Sequence, residues 1–87
     1  MSRAKRHMAR VAALPCMVCE HVGLVSGPVE LHHIGDSSER SDFLVIPACT
    51  EHHRGATGFH GLGEREFCRR YKTSEIQLLA MTLERLA

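Results

Sequence analysis

The residues of this chain that are best suited to chemistry are histidines and cysteines at short, repeated spacings. Four of its seven histidines form two adjacent pairs, His32-His33 and His52-His53. Two further motifs, Cys16-x-x-Cys19 and Cys49-x-x-His52, have metal-ligand spacing. Imidazole and thiolate groups are common zinc ligands, and an imidazole can also act as a general base near neutral pH. The pattern predicts two metal sites, one that stabilises the fold and one that does chemistry.

The first predicted site is a closed zinc site made of three cysteines and one histidine. Its candidate ligands are Cys16, Cys19, Cys49 and His52, which form two matched half-sites. Zinc bound by such a set contributes about 10–16 kcal/mol, comparable with or above the whole stability of a small domain. The simpler alternative is a group of buried thiols that binds no metal.

The second predicted site uses the remaining histidines. Successive side chains of a strand point to opposite faces, so His32 and His33 cannot bind one ion side by side. On a helix, His53 would lie about 100° around the axis from His52. We expect His32 and His53 to converge between strand and helix, with His60 as a third ligand. Three protein ligands leave coordination positions open, as a catalytic metal requires.

Local composition predicts the elements that must position these residues. Strands are predicted at Val22–Val25, Val29–Ile34 and Phe43–Ile46, with a polar loop over Gly35–Ser41. Helices are predicted over Ala4–Leu14 and Glu64–Tyr71. A short helix should begin near Thr50, which can cap it, and a last helix should follow the capping-box pattern Ser74-x-x-Gln77. Cys16–Cys19 is predicted to be a tight turn, and Pro47 should end its strand or lie on a sheet edge.

Two predictions concern the second half of the chain. Four glycines, Gly55, Gly58, Gly61 and Gly63, predict an irregular loop that holds His60. In the last helix, one face is predicted to pack on the core through Ile76, Leu79, Ala80, Leu83 and Leu86. His7 and His21 have no companion at ligand spacing, so we expect both to be exposed to solvent.

Size and charge predict one small domain with a basic terminus. The chain has 87 residues, 5% aromatic residues and a net charge of +1, so its core is thin and the molecule is not a polycation. We divide it into a basic N-terminal arm, residues 1–10, and a single domain, residues 11–87. The arm carries Arg3, Lys5, Arg6, His7 and Arg10 without an acid. Such an arm attracts phosphate backbones, although a solvated, partly helical terminus is the simpler interpretation.

The cysteine pattern also indicates in which cellular compartment the protein is expected. Four cysteines could form two disulfides in a secreted protein, but Val11–Leu14 is too short for a signal core and Pro15 ends it. In a cytoplasm, C-x-x-C with a distant C-x-x-H indicates zinc. We therefore expect a cytoplasmic protein, and no stretch is long enough to cross a membrane. Cys68 lacks a partner at metal spacing and is expected to be a small core residue.

Four motifs together resemble those of the HNH (ββα-metal) nucleases. They are C-x-x-C, L-H-H-I, D-F-L-V-I-P-A-C-x-x-H-H and G-F-H-G-L-G, spread over Cys16–Tyr71. Within these nucleases the chain looks most like the phage recombination-enhancement, Ref-like group. The resemblance implies an α+β fold, a small zinc-stapled ββα-metal domain with flanking helices. It also implies a metal-dependent endonuclease that hydrolyses DNA phosphodiester bonds in phage or prophage DNA processing or recombination.

The resemblance assigns roles to individual residues. His32, His53 and His60 would bind the catalytic ion, which could be Mg, Mn, Zn or Ni. His33 would be the general base that takes a proton from the attacking water. The chain contains no Asn, so the middle position of the motif has no direct match. Asp42 is the nearest substitute and could orient His33 or brace the loop, although a plain turn-capping role fits equally well.

The resemblance also implies partners. DNA is the expected substrate, single- or double-stranded, and a recombinase filament is a candidate second partner. The basic N-terminal segment is shorter than that of the family, which leaves the recombinase open. Candidate DNA-backbone contacts are Arg54, Arg65, Arg69, Arg70 and Lys72. A solvated helix face with Glu64 and Glu66 as local partners is the alternative for most of them.

Two other functions remain open from the sequence. One is a catalytically inactive zinc module that binds nucleic acid or a protein, and the other is a purely structural protein with two zinc ions. The His32-His33 pair together with His60 favours the nuclease. A structural zinc site needs neither His33 nor an open coordination position.

Overall fold

Two antiparallel strands, β1 (Val29–His33) and β2 (Val45–Cys49), lie at the centre of the fold. The computed structural model describes residues 1–36, 38 and 40–87. In those residues the helices are α1 (Arg3–Ala12), α2 (Met17–Val22), α3 (Thr50–Arg54), α4 (Phe59–Leu62), α5 (Glu64–Tyr71) and α6 (Glu75–Leu86). The chain is thus the predicted small α+β domain, with a Cys3His group that could hold zinc.

The second strand lies further along the chain than predicted. It begins at Val45, not Phe43, and continues through Pro47, which pairs with Leu31. In the described residues the sheet has two strands, so each strand has an outer edge. A proline is tolerated on such an edge because its missing N–H faces away from the ladder. Of the two alternatives for Pro47, the edge position is the correct one.

The first cysteine pair lies at the start of a helix and not in the predicted tight turn, and the strand predicted at Val22–Val25 was also wrong. Cys16 caps α2, and its Sγ accepts a hydrogen bond from the Cys19 backbone N–H at 3.4 Å. Val22 is the last residue of that helix, which ends at Gly23 with a left-handed φ of 83°. Glycine adopts this conformation at little cost and is the usual helix terminator. The short apolar run Val22–Val25, which Gly23 interrupts, therefore forms a helix end and not a strand.

Helix α1 contains most of the segment predicted to be a basic arm. Ser2 caps it, and Val11 is fully buried. The Arg10 guanidinium donates to the Leu86 carbonyl at 2.6 Å, and His7 Nε2 lies 3.1 Å from the Phe43 carbonyl. His7 is half-buried, so the prediction that it is exposed was wrong. These contacts attach α1 to the end of α6 and to the segment before β2.

Helix α6 turns a different face to the core from the one predicted. Leu78, Leu79 and Thr82 are buried, whereas Ile76 is 69% exposed. Leu83 and Ala80 are also exposed and Leu86 is half-buried, so Leu79 alone was placed correctly. The Thr82 hydroxyl donates to the Leu78 carbonyl at 2.8 Å, which allows a polar residue to enter the core. The Ser74 cap was predicted correctly, since Ser74 Oγ accepts from the Gln77 N–H.

The core lies between the sheet and helices α2, α5 and α6. Its fully buried side chains include Met17, Val18, Ile46, Phe67 and Leu78. Cys68 is half-buried and packs against this cluster as expected, and burial raises the pKa of its thiol. The polar loop predicted over Gly35–Ser41 includes residues 37 and 39, which lie outside the described residues. Within the part of the chain that is described, no helix is long and apolar enough to span a membrane.

Candidate metal centres

The four predicted zinc ligands converge in one small group. The Sγ atoms of Cys16, Cys19 and Cys49 lie 3.7, 3.4 and 3.3 Å from His52 Nδ1, and the Cys19 and Cys49 sulfurs are 3.9 Å apart. Cys49 ends β2 and His52 lies on α3, so the strand–helix junction supplies half of the group and α2 the other half.

These separations fit a tetrahedral ion. Zinc bonds of about 2.0–2.3 Å imply donor–donor separations of roughly 3.5–3.8 Å, close to those observed. Burial, followed by the neighbouring thiols of Cys16 and Cys49, raises the pKa of Cys19 to about 12. A cation among these donors would reverse that cost, because it favours thiolates. Burial lowers the pKa of His52, which favours the neutral imidazole that binds metal.

The second group consists of His32 from β1, His53 from α3 and His60 from α4. One ligand nitrogen from each lies within 4.8 Å of the others, and the ring centroids are 4.8–5.3 Å apart. His32 is buried, His53 is half-buried and His60 is exposed. The group therefore opens toward solvent on one side, unlike the Cys3His group.

His32 fits a metal ligand better than a core histidine. It is only 5% exposed, and its ring stacks on Phe59 with centroids 4.0 Å apart and planes 3° apart. Neither ring nitrogen has a hydrogen-bond partner among the described residues. Buried polar atoms are normally paired, so two orphaned nitrogens in one ring indicate a missing partner such as an ion.

Glycines allow α3 and α4 to approach closely, which positions His60. A Cβ at Gly61 would overlap the Gly55 carbonyl oxygen, and one at Gly58 would overlap the Glu51 carbonyl oxygen. Glu51 braces this segment, because its carboxylate accepts hydrogen bonds from the backbone N–H and hydroxyl of Thr57. The predicted irregular loop is thus limited to residues 55–58, and the placement of His60 on it was wrong, since His60 lies on a short helix, α4.

Glu30 is a functional candidate that sequence reasoning missed. Its Oε1 lies 2.9 Å from His53 Nδ1, and its two oxygens also accept hydrogen bonds from the Arg54 guanidinium. These partners, Arg54 first, lower the pKa of Glu30 to about 2. The ionised carboxylate makes His53 Nδ1 the donor, which leaves Nε2 for a metal. The available signal was strand alternation, because Glu30 and His32 share one face of β1.

His33 is not a member of the three-histidine group but lines the cleft beside it. Its Nε2 lies 2.9 Å from Asp42 Oδ1, and its side chain is 20% exposed. A cleft of about 600 Å³ is lined by His32, His33, Phe59, His60, Glu64 and Glu75, among others. The structure thus places the predicted base beside the predicted ligands, with Asp42 in hydrogen-bond contact.

The predicted DNA contacts divide into two groups. Arg69 pairs with Glu66, as expected for a solvated helix face, and Arg54 pairs with Glu30, a partner that the sequence did not predict. The other three, Arg65, Arg70 and Lys72, are exposed, and no carboxylate among the described residues forms an ion pair with them. His21 is exposed as predicted, although its Nε2 lies 3.0 Å from the Tyr71 carbonyl.

Comparison with known proteins places the chain in a family. A family model described as recombination enhancement, RecA-dependent nuclease, matches residues 2–87. A search among curated proteins finds no match. The matched range includes α1 and α6 as well as the motif-bearing segment, and it agrees with the resemblance to the recombination-enhancement nucleases. The chain therefore belongs to the family of RecA-dependent nucleases that enhance recombination.

Proposed function

We propose that this nuclease is a metal-dependent HNH-type endonuclease that hydrolyses DNA phosphodiester bonds at the three-histidine group. The strongest support is the convergence of His32, His53 and His60, with ligand nitrogens within 4.8 Å of one another beside an open cleft. Three protein donors leave coordination positions free for a substrate oxygen. A structural metal site would use a fourth protein donor instead.

The donor set fits a divalent ion such as Mn, Zn, Ni or Mg. His32, His53 and His60 would hold it, and the two unpartnered nitrogens of His32 are consistent with that role. When bound, such an ion polarises a phosphate oxygen and stabilises negative charge on the departing 3′ oxygen. The Cys3His group would hold zinc and fix the position of α3, which carries both His52 and His53.

His33 is proposed as the general base. Asp42 accepts the Nε2–H of His33, so Nδ1 keeps the lone pair that can take a proton from a water molecule in the cleft. The Asp42 carboxylate would also stabilise the imidazolium that forms after that transfer. In this proposal Asp42 orients the base, in the place of the missing Asn.

Cations from two segments of the chain are proposed to hold the DNA backbone. Helix α1 carries the basic segment of residues 1–10, and His7 connects it to Phe43, the residue after Asp42. Exposed Arg65, Arg70 and Lys72 follow α4. Phosphate contacts of this kind give affinity without sequence preference.

The proposed setting is phage or prophage recombination in the cytoplasm. The family description names RecA, and we propose that a recombinase filament on DNA is the partner that presents the substrate. Basic residues 1–10 and the open histidine group would then act on the same DNA, single- or double-stranded.

A plasmid-nicking assay tests the proposal. The protein is incubated with supercoiled DNA, with and without a RecA filament, in Mg²⁺, Mn²⁺, Zn²⁺ or Ni²⁺. We expect His33→Ala to lose cutting by roughly 10²–10⁴-fold while its fold and metal content stay unchanged. His21→Ala is the matched control, because this histidine is exposed and lies outside both metal groups.

Two outcomes would contradict the proposal. Cutting by His33→Ala at the wild-type rate would remove the base assignment. DNA binding by the wild type without cleavage in any of the four ions would favour the catalytically inactive zinc module.

A further inference from the structure

Helix α6 places a carboxylate in the cleft beside the three-histidine group. Glu75 is the first residue of α6, directly after the Ser74 cap. Its side chain is 15% exposed, and its Oε1 lies 3.6 Å from His32 Nε2. The resemblance to the HNH nucleases ends at Tyr71, so no motif assigns a role to this residue.

The geometry around His32 determines which nitrogen is available to an ion. A neutral imidazole has one N–H donor and one lone pair, so an ion on one nitrogen requires the proton on the other. Glu75 faces Nε2, which leaves Nδ1 for the ion. The separation of 3.6 Å exceeds a hydrogen bond, and a side-chain shift of roughly 0.5–0.8 Å would bring it into the usual range.

We infer that Glu75 is a positioning residue whose carboxylate accepts the Nε2–H of His32 and thereby fixes the tautomer that offers Nδ1 to the divalent ion. The inference rests on the proposed function, since it assumes an ion at the three-histidine group. It assigns α6 a role in the metal centre in addition to its packing on the core.

Two observations indicate that Glu75 would hydrogen-bond a metal ligand and would not bind the ion itself. The ligand atoms that lie within 4.8 Å of one another come from the three histidines and do not include a Glu75 oxygen. His53 also has a carboxylate partner already, because Glu30 holds its Nδ1 at 2.9 Å. The two carboxylates would hold opposite nitrogens of the two rings, with His53 binding through Nε2 and His32 through Nδ1.

Nitrogen-15 NMR of the histidine rings tests the inference directly. The protein, with zinc in the Cys3His group, is titrated with further Zn²⁺, and long-range proton–nitrogen correlations identify the protonated nitrogen of each ring. We expect His32 to carry its proton on Nε2 in the wild type and this preference to be lost in Glu75→Ala. Glu75→Gln should retain much of it, because an amide oxygen can accept the same hydrogen bond.

Calorimetric titration with Ni²⁺ supplies a second readout. Loss of an outer carboxylate partner typically weakens metal binding 10–100-fold, so we expect about that loss in Glu75→Ala and a smaller one in Glu75→Gln. Glu64→Ala is the matched control, since it removes another carboxylate of the same cleft and should change neither the tautomer nor the affinity. Circular dichroism establishes that each variant is folded.

The possible failures are distinguishable. If the second ion binds but His32 is protonated on Nδ1, or if Glu75→Ala binds Ni²⁺ as tightly as the wild type, the inference is wrong and the metal centre stands. If the folded wild type binds no second ion, the proposed function fails and the inference fails with it.

Discussion

The two candidate metal sites share helix α3 but differ in how far the protein encloses them. In the Cys3His group, the three sulfurs lie 3.3–3.7 Å from His52 Nδ1, and all four donor residues but Cys49 are buried. The three-histidine group has one donor fewer, and its members range from buried to exposed. A closed set suits a structural ion and an open set suits a catalytic one. We therefore propose different roles for two adjacent residues of α3, a structural one for His52 and a catalytic one for His53.

A column of aromatic rings joins the two groups through the core. Tyr71 contacts His52 with ring centroids 5.6 Å apart, and Phe67 lies 4.6 Å from Tyr71. Phe59 then stacks between Phe67 and His32, with centroids 4.0 Å away on each side. We expect a zinc ion in the closed group to fix the helices that orient the open one, so damage to the first should reach the second.

The largest expected effect comes from breaking the closed group. Cys16→Ser removes one of four zinc donors, and a structural zinc ion contributes about 10–16 kcal/mol, which exceeds or equals the stability of most small domains. We expect the variant to lose zinc and to unfold, as measured by metal analysis and circular dichroism. Cys68→Ser is the matched control and should keep both zinc and fold, because Cys68 lies outside the group. A folded Cys16→Ser protein of wild-type stability would refute the zinc assignment.

Substitution of the two neighbouring histidines of α3, one at a time, separates the two sites more directly. His52→Ala should resemble Cys16→Ser, with loss of zinc and of structure. His53→Ala should stay folded with its zinc but lose the second ion and reduce DNA cleavage by roughly 10³-fold or more, because an open three-donor set cannot spare a ligand.

Zinc content, Ni²⁺ titration and plasmid nicking on the two variants, side by side, measure this difference. If both variants unfold, or if His53→Ala still cuts at the wild-type rate, the division of α3 between a structural and a catalytic ion is wrong.

The sequence predicts the two groups because each motif is local. Cys16-x-x-Cys19 and Cys49-x-x-His52 bring ligands together within one helical turn, and strand alternation separates His32 from His33. Prediction from the sequence fails where tertiary contacts determine which side chains are buried or paired. The buried face of α6 includes Thr82, whose hydroxyl is satisfied by the Leu78 carbonyl, and no hydropathy pattern shows that bond.

The carboxylates beside the open group show the same limit. The His53 partner of Glu30 lies 23 residues further along the chain. The His32 neighbour of Glu75 lies on a different element, and no spacing connects the two. His60 lies in the three-histidine group, but on a short helix and not on the predicted loop. The close approach of α4 to α3 at Gly61 becomes visible only when both helices are placed.

The smallest effect, and the one confined to the open group, is expected at Glu30. Glu30→Ala removes the acceptor of the His53 Nδ1–H, so the ring is no longer held in the tautomer that offers Nε2. We expect Ni²⁺ affinity at the three-histidine group to fall about 10–100-fold, with zinc content and fold unchanged. Calorimetric titration and metal analysis measure the two sites separately.

Arg54→Ala is the control for Glu30, because it removes the guanidinium but leaves the carboxylate on His53. It should weaken Ni²⁺ binding less than Glu30→Ala does. Equal losses in the two variants would mean that the ion pair, and not the contact with His53, sets the affinity. A loss of zinc in Glu30→Ala would show that damage to the open group also reaches the closed one, and it would contradict the expected confinement of this effect to the open group.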